Sequence, residues 1–318
     1  MAAPVPGASG YVTSGNANVA SRVDAEKYLE SYGYLKPGQK VTDRDFTEAL
    51  RMFQKKSGLP ESNELDKETM HQMNLIRCGV KDVEDESDVR GPAPPGVTAI
   101  GARVSSPIAL DDDSYLRRWW YQCNLTFALT KGTHHRSDEE HMNMIESALK
   151  QWEDALREGA RPHPDGVTSA LTFTALPPAE AHNAELQFSF EPREHRDGNA
   201  FDGPFGVLAH AFYPYVSGKL IGKIHFDGDE NWAPNKLIGR TFYYVTLHEL
   251  GHSLGLNHSD LPSSIMYPFV RSGLESNVAL MEEDKQRIRD LYPTRLCDLF
   301  NNARGNHQAD PRQRRRGR

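Results

Sequence analysis

Apolar residues recur at three- and four-residue spacing through VDAEKYLESYGYL, TDRDFTEALRMFQKKSGL and LDKETMHQMNL, the period of helices with one buried face. Thr42 and Asp66 stand just ahead of the second and third runs, where an N-cap belongs, so the pattern predicts three short helices. Further along the period changes. CNLTFAL, ALTFTAL, ELQFSF, GVLAHAFYP and LIGKIHF are short alternating or apolar runs rich in β-formers, and they predict strands of one sheet. DEEHMNMIESALKQWEDALRE, TFYYVTLHELGHSLG and LMEEDKQRIRDLY return to helical spacing. The chain therefore divides into a flexible lead over 1–21, a small helical domain over 22–82, an acidic then Pro/Gly-rich linker over 83–107, a larger mixed domain over 108–294, and a polar, basic tail over 295–318 expected to be disordered. REGARPHPDGVTSA at 157–170 lengthens the loop after the first large helix, and no internal repeat is evident.

Composition narrows the class of protein. A length of 318 residues suits about two domains with short tails. Hydrophobic residues at 38% and charged residues at 25% describe ordinary globular material, and no apolar run approaches the ~20 residues of a membrane helix. The net charge of −7, without an aromatic-interleaved basic stripe, points away from nucleic acid. Met1–Gly15 lacks the basic start and apolar core of an export signal, so export is not legible there. Three cysteines are too few for a disulfide scaffold, and the odd count asks which one has a separate task.

The chemistry concentrates in HELGHSLGLNH at 248–258. On a helix, His248 and His252 lie one turn apart on one face and can share a metal, with Glu249 beside the open coordination position. Gly255 can take a conformation closed to other residues and turn the chain so that His258 returns as third ligand. Three protein ligands leave a fourth place for water, whose pKa zinc lowers to about 7, and Glu249 is the general base that takes its proton. HExxH alone is short enough to arise on a solvated helix by accident. The third histidine at this offset, followed by SIMYP at 264–268, is the metzincin signature.

With these motifs the sequence resembles the matrix metalloproteinases, matching on the extended zinc motif, the Met-turn residue Met266, the strand motif FDGPFGVLAHAF and the prodomain segment RCGVKD, over about Tyr28 to Tyr292. The resemblance implies an α+β metzincin catalytic domain, a twisted mixed β-sheet with about three α-helices, preceded by a small three-helix prodomain. It implies a secreted zinc endopeptidase that acts on proteins or peptides, with tissue-inhibitor-type proteins as candidate inhibitors. No hemopexin-like propeller is expected after Tyr292. The helical prodomain also resembles peptidoglycan-binding modules, which keeps a wall-binding protein as a second reading.

A second donor cluster has its own chemistry. His195, Asp197, His210 and His225 bring three imidazoles and a carboxylate to neighbouring segments, a closed four-ligand set that suits a structural zinc and matches the family's second one. Asp202, Asp227 and Glu230, with backbone carbonyls near Gly203, Phe205 and Val207, are hard oxygen donors suited to calcium. Phe205 stands where the family usually has glycine, so backbone strain is expected there. Lys223 replaces a carboxylate of a further calcium site, leaving Glu185 alone, and that ion is not predicted.

The resemblance also gives Cys78 its separate task. A thiolate delivered from the prodomain takes the water's place on the zinc and leaves Glu249 nothing to activate. Ile76 and Lys81 stand where the family's switch has prolines, so the loop is expected to be less rigid, with Arg77 and Asp82 anchoring it by charge. Cys123 and Cys297 could pair in an oxidising compartment. The sequon at Asn124 lies inside an expected strand, which argues against a glycan. Tyr244, one turn before His248, is expected to floor the pocket for the residue after the cleaved bond. The competing reading makes it a core residue under the sheet.

Overall fold

A computed structural model describes residues 19–84, 120, 122–158, 171–214, 218–270 and 278–292. Most of the expected lead and linker, the 159–170 part of the insertion, Cys297 and the basic tail lie outside the described residues.

The N-terminal unit holds helices α1 (Arg22–Ser31), α2 (Asp43–Lys56) and α3 (Lys67–Met73). Thr42 caps α2 through a capping box with Asp45, and the Asp66 carboxylate accepts from Thr69 N–H at 2.8 Å, as the sequence predicts. Phe46, Ala49, Leu50 and Phe53 form the buried stripe of α2 and meet Leu29 and Met73. Each such side chain contributes about 1.5–3 kcal/mol on leaving water. Tyr267 and Phe269 of the larger unit complete this same core, so the two units share one packed interface.

The larger unit is a five-stranded sheet in the order β2-β1-β3-β5-β4, built from β1 (Asn124–Lys131), β2 (Thr172–Ala175), β3 (Leu186–Glu191), β4 (Ala209–Ala211) and β5 (Lys223–Asp227). β4 alone runs antiparallel, against β5. Helices α4 (Asp138–Arg157), α5 (Leu237–Ser253) and α6 (Glu282–Leu291) complete the unit. β3 reads LQFSFE, an alternating run, and its apolar residues Leu186, Phe188 and Phe190 are all buried in the core shared with the helices. Phe190 stacks on Phe226 of β5 and Phe242 of α5, while the Trp152 indole of α4 donates to Leu247 O of α5 at 3.0 Å. These contacts fix α5, which carries the histidines, against the sheet.

Two predicted strands are shorter than their sequence runs. LIGKIHF becomes a strand only at Lys223, after a 3-10 turn over Gly218–Leu220. Of GVLAHAFYP only Ala209–Ala211 forms the strand, and the residues before it meet the N-terminal unit on their other edge while Leu208 O still accepts from Asp227 N–H at 2.8 Å. Leu208 N–H donates to Arg77 O at 3.1 Å and Arg77 N–H to Gly206 O at 3.3 Å. Among the described residues no helix is long and apolar enough to cross a membrane.

Candidate metal centre

His248, Glu249 and His252 project from the last turns of α5. Gly255, at φ 108°, breaks the helix in a conformation open to glycine, and the following turn returns His258 to the same cleft. His248 Nδ1 lies 2.6 Å from Ile265 O and His252 Nδ1 lies 2.7 Å from Leu256 O. Each of these nitrogens therefore carries its proton outward and leaves Nε2 as a lone pair facing the cleft. The two Nε2 atoms are 3.1 Å apart. His258 Nε2 is buried without a hydrogen-bond partner, and its Nδ1 stands 2.8 Å from Asp82 Oδ1 of the N-terminal unit.

The fourth member is Cys78. Donor atoms of Cys78, His248, His252 and His258 all lie within 4.8 Å of one another. Burial pushes His248 down to about 3 and keeps His252 and His258 below the usual range, so the imidazoles are neutral, the form that binds a metal. Burial and then Glu249 push the Cys78 thiol well above its usual value, a cost that a divalent cation against the sulfur reverses. A zinc–nitrogen bond of about 2.0–2.1 Å gives a tetrahedral edge of about 3.4 Å. The donor set and its spacing fit zinc.

Glu249 is fully buried beside this cluster, with both carboxyl oxygens lacking an aligned hydrogen-bond partner. Burial pushes it up to about 8. A carboxyl held at such a cost beside a metal cleft is what proton transfer requires.

Cys78 arrives on an extended segment wedged between two chains of the larger unit. Arg77 bridges Val207 in parallel and Phe269 antiparallel. Cys78 N–H donates to Pro268 O at 2.9 Å, Gly79 N–H to Ala209 O at 2.8 Å, and Val270 N–H to Ile76 O at 2.9 Å. The Arg77 guanidinium is buried, 2.6 Å from Asp82 Oδ1, 2.6 Å from the Tyr28 hydroxyl and 3.4 Å from the centre of the Tyr32 ring. Burial raises the Asp82 carboxyl, but Arg77 and His258 more than offset this and hold it well below the usual carboxylate range. The sequence gives the Arg77–Asp82 pair; the aromatic wall around it carried no motif.

Met266, fully buried, follows Ile265, whose carbonyl meets His248 Nδ1. Its turn is tied to α6 through Asp284, a role the sequence reading missed. The Asp284 carboxylate accepts from Ile265 N–H at 3.0 Å, from Met281 N–H at 2.9 Å and from the Ser264 hydroxyl. Tyr244 is 2% exposed, so it is a core residue, and it also lines a small cavity with Cys78, His248, Glu249, Pro268 and Val270.

In the second cluster, Asp197 Oδ2 lies 2.7 Å from His195 Nε2, 2.8 Å from His210 Nε2 and 2.8 Å from His225 Nδ1. His210 Nε2 is 3.4 Å from His195 Nε2 and 3.3 Å from His225 Nδ1. These nitrogen separations match the tetrahedral edge of about 3.4 Å that zinc requires. These two sets are the groups of metal-type donors that converge among the described residues.

The candidate calcium carboxylates behave differently. Asp227 Oδ2 accepts from Gly203 N–H at 3.2 Å, Glu230 Oε1 from Phe205 N–H at 2.5 Å and Asp202 Oδ1 from Val207 N–H at 2.8 Å. Burial, with neighbouring carboxylates, pushes Asp227 up to about 6 and Glu230 up to about 7. Phe205 sits at φ 65°, the left-handed backbone expected of a side chain in a glycine's place. Glu185 is engaged by Thr126, whose N–H it accepts at 2.7 Å. Cys123 is disulfide-bonded, Cys78 is free, and Cys297 lies outside the described residues. Asn124 is exposed at the start of β1, with Oδ1 accepting from the Thr172 and Thr174 hydroxyls.

A buried glutamate beside three converging histidines, in a cleft under a mixed sheet, is the architecture of a zinc metalloendopeptidase. Residues 118–293 match the family model described as Matrixin, and the chain belongs to that family. Residues 18–73 match a model described as a putative peptidoglycan binding domain. Similar proteins include Matrix metalloproteinase-15 of Homo sapiens, 31% identical over 90% of this chain and 40% of its own length, and Stromelysin-1 of Mus musculus, 32% identical over 85% and 48%. Hatching enzyme of Paracentrotus lividus is 29% identical over 89% of the chain and 41% of its own length. The chain thus spans less than half the length of these relatives.

Proposed function

We propose that the chain is a latent zinc endopeptidase, with His248, His252 and His258 holding the catalytic zinc, Glu249 as general base, and Cys78 blocking the metal from an N-terminal prodomain. The observation that carries this is the convergence of the Cys78 sulfur with the three imidazole nitrogens beside a buried, unpartnered Glu249. When bound, zinc supplies Lewis acidity toward a peptide carbonyl and acidifies a water molecule.

The chain's own residues do the rest. Residues 76–79 occupy a slot whose walls offer backbone groups at Gly206, Leu208, Ala209, Pro268 and Val270. Once that segment leaves, the same groups are free to pair with an extended substrate, strand against strand. Glu249 then takes a proton from the attacking water and returns it to the departing amine. Tyr244 floors the adjoining pocket and favours leucine, isoleucine or methionine over long aromatic extensions after the cleaved bond.

On this reading residues 22–82 form the prodomain, 83–107 the linker and 108–294 the catalytic domain. His195, Asp197, His210 and His225 hold a structural zinc. Asp202, Asp227 and Glu230, with the carbonyls of Gly203, Phe205 and Val207, bind calcium once the carboxylates release the backbone groups they now accept from. The enzyme acts outside the cell on proteins, with tissue-inhibitor-type proteins as inhibitors; the disulfide at Cys123 suits that compartment. The test is Glu249→Gln, which keeps shape while removing the proton acceptor. Zinc content should be unchanged and cleavage of a peptide library after thiol-reactive activation should vanish. Near-normal turnover in the zinc-loaded variant would refute the assignment.

A further inference from the structure

The three histidines are not held alike. His248 and His252 each direct Nδ1 at a carbonyl of the larger unit, Ile265 O and Leu256 O. His258 Nδ1 has no such carbonyl and makes no aligned hydrogen bond; the charged group against it is Asp82 Oδ1 of the N-terminal unit, 2.8 Å away. Arg287 donates to Asn257 O at 2.7 Å and lies 3.4 Å from His258 O, which fixes the backbone of this turn but not the ring.

We infer that Asp82 is the outer-sphere positioning residue of His258, so that the N-terminal unit holds the metal centre at two atoms, the Cys78 sulfur and the Asp82 carboxylate. This rests on the reading of the cluster as a zinc site. Asp82 is built for the role. Its side chain is 3% exposed, its Oδ2 accepts from the Tyr34 hydroxyl at 3.0 Å, its own N–H donates to Tyr32 O at 3.0 Å, and Arg77 supplies the charge that keeps it ionised. An anionic acceptor behind an imidazole fixes the tautomer, aims Nε2 and raises its basicity toward a cation. Loss of the prodomain therefore removes more than a blocking ligand. It leaves the third histidine ring unsupported and loosens the metal.

The test uses the full chain carrying Cys78→Ser, which removes the thiolate, and Glu249→Gln, which prevents self-cleavage. Transfer of zinc to a chromophoric chelator is followed, with His258→Ala identifying the phase that comes from this cluster. Adding Asp82→Ala should speed that phase by about tenfold or more, the range seen for outer-sphere partners of metal-binding histidines. Arg77→Gln, which loosens the loop but leaves the carboxylate, should have a smaller effect. Proteolytic removal of the prodomain from the Cys78→Ser/Glu249→Gln chain needs no folding of an Asp82 variant and should speed the phase as Asp82→Ala does. Unchanged release after prodomain removal, or equal effects of Asp82→Ala and Arg77→Gln, overturns the inference. If His258→Ala removes no zinc phase at all, the zinc reading of the cluster falls, and this inference with it.

Discussion

Gly251, inside HELGH, faces two opposing effects. It sits in the interior of α5, where alanine is the better helix former by about 0.8–1 kcal/mol. A Cβ there would stand 2.2 Å from Met266 Sδ, 2.9 Å from Met266 Cε and 3.1 Å from Trp152 Cζ2. Neither neighbour can retreat easily. Met266 is fully buried and tied on both backbone sides, its N–H to the Ser264 hydroxyl at 2.9 Å and its O to Ser259 N–H at 2.9 Å. Trp152 is fully buried and fixed by its indole bond to Leu247 O. Overpacking of this kind costs about 1–3 kcal/mol, so Gly251→Ala should destabilise by about 0–2 kcal/mol after the gain in helix propensity. At about 2–4 °C per kcal/mol for a unit of this size, the melting temperature should fall by up to about 8 °C. Displacing the turn at Met266 should also pull Ile265 O from His248 Nδ1, now 2.6 Å apart, and speed zinc loss. Thermal melts and chelator-driven zinc release measure both. A variant that melts higher than wild type by the propensity gain alone, with unchanged zinc release, would show that Met266 does not need the glycine.

Cys78→Ser should give peptidase activity without thiol-reactive treatment, at more than about tenfold above the untreated wild type, since a hydroxyl forfeits well over the ~1.4 kcal/mol that tenfold represents; a variant that stays silent with its prodomain intact removes the switch. Tyr244→Leu should enlarge the pocket and raise cleavage of peptides bearing long aromatic side chains after the scissile bond relative to leucine, read from matched kcat/KM values, and an unchanged ratio rules out its role there. Asp227 and Glu230 have folded pKa values of about 6 and about 7, raised above the unfolded carboxylate range. Without a cation their burial favours the fold at low pH and costs stability as pH rises through that window; a cation binds the ionised form and reverses the cost. Calcium should therefore raise the melting temperature at about pH 8 and lose that effect toward about pH 5, and a calcium effect independent of pH would refute the assignment.

The sequence by itself determined what is local. Helical period and caps at Thr42 and Asp66 placed α2 and α3, because a cap and an amphipathic stripe are decided within a few residues. The spacing of His248 and His252 placed them on one helix face with Glu249 beside them for the same reason, and Gly255 announced the turn that returns His258. Apolar runs gave the strands, but not where each would stop, and GVLAHAFYP could not reveal that Val207 and Leu208 also meet Arg77 of the N-terminal unit. Only the tertiary structure decided what depends on distant segments meeting. Asp82 reaches His258 across 176 positions of sequence, and Asp284 holds the Met266 turn from α6. Tyr267 and Phe269 close the core of the N-terminal unit from the far side of the cleft. A motif records the spacing of residues along one element; the acceptor behind a ligand is chosen by whichever chain packs there, and any carboxylate or carbonyl at the right point in space serves.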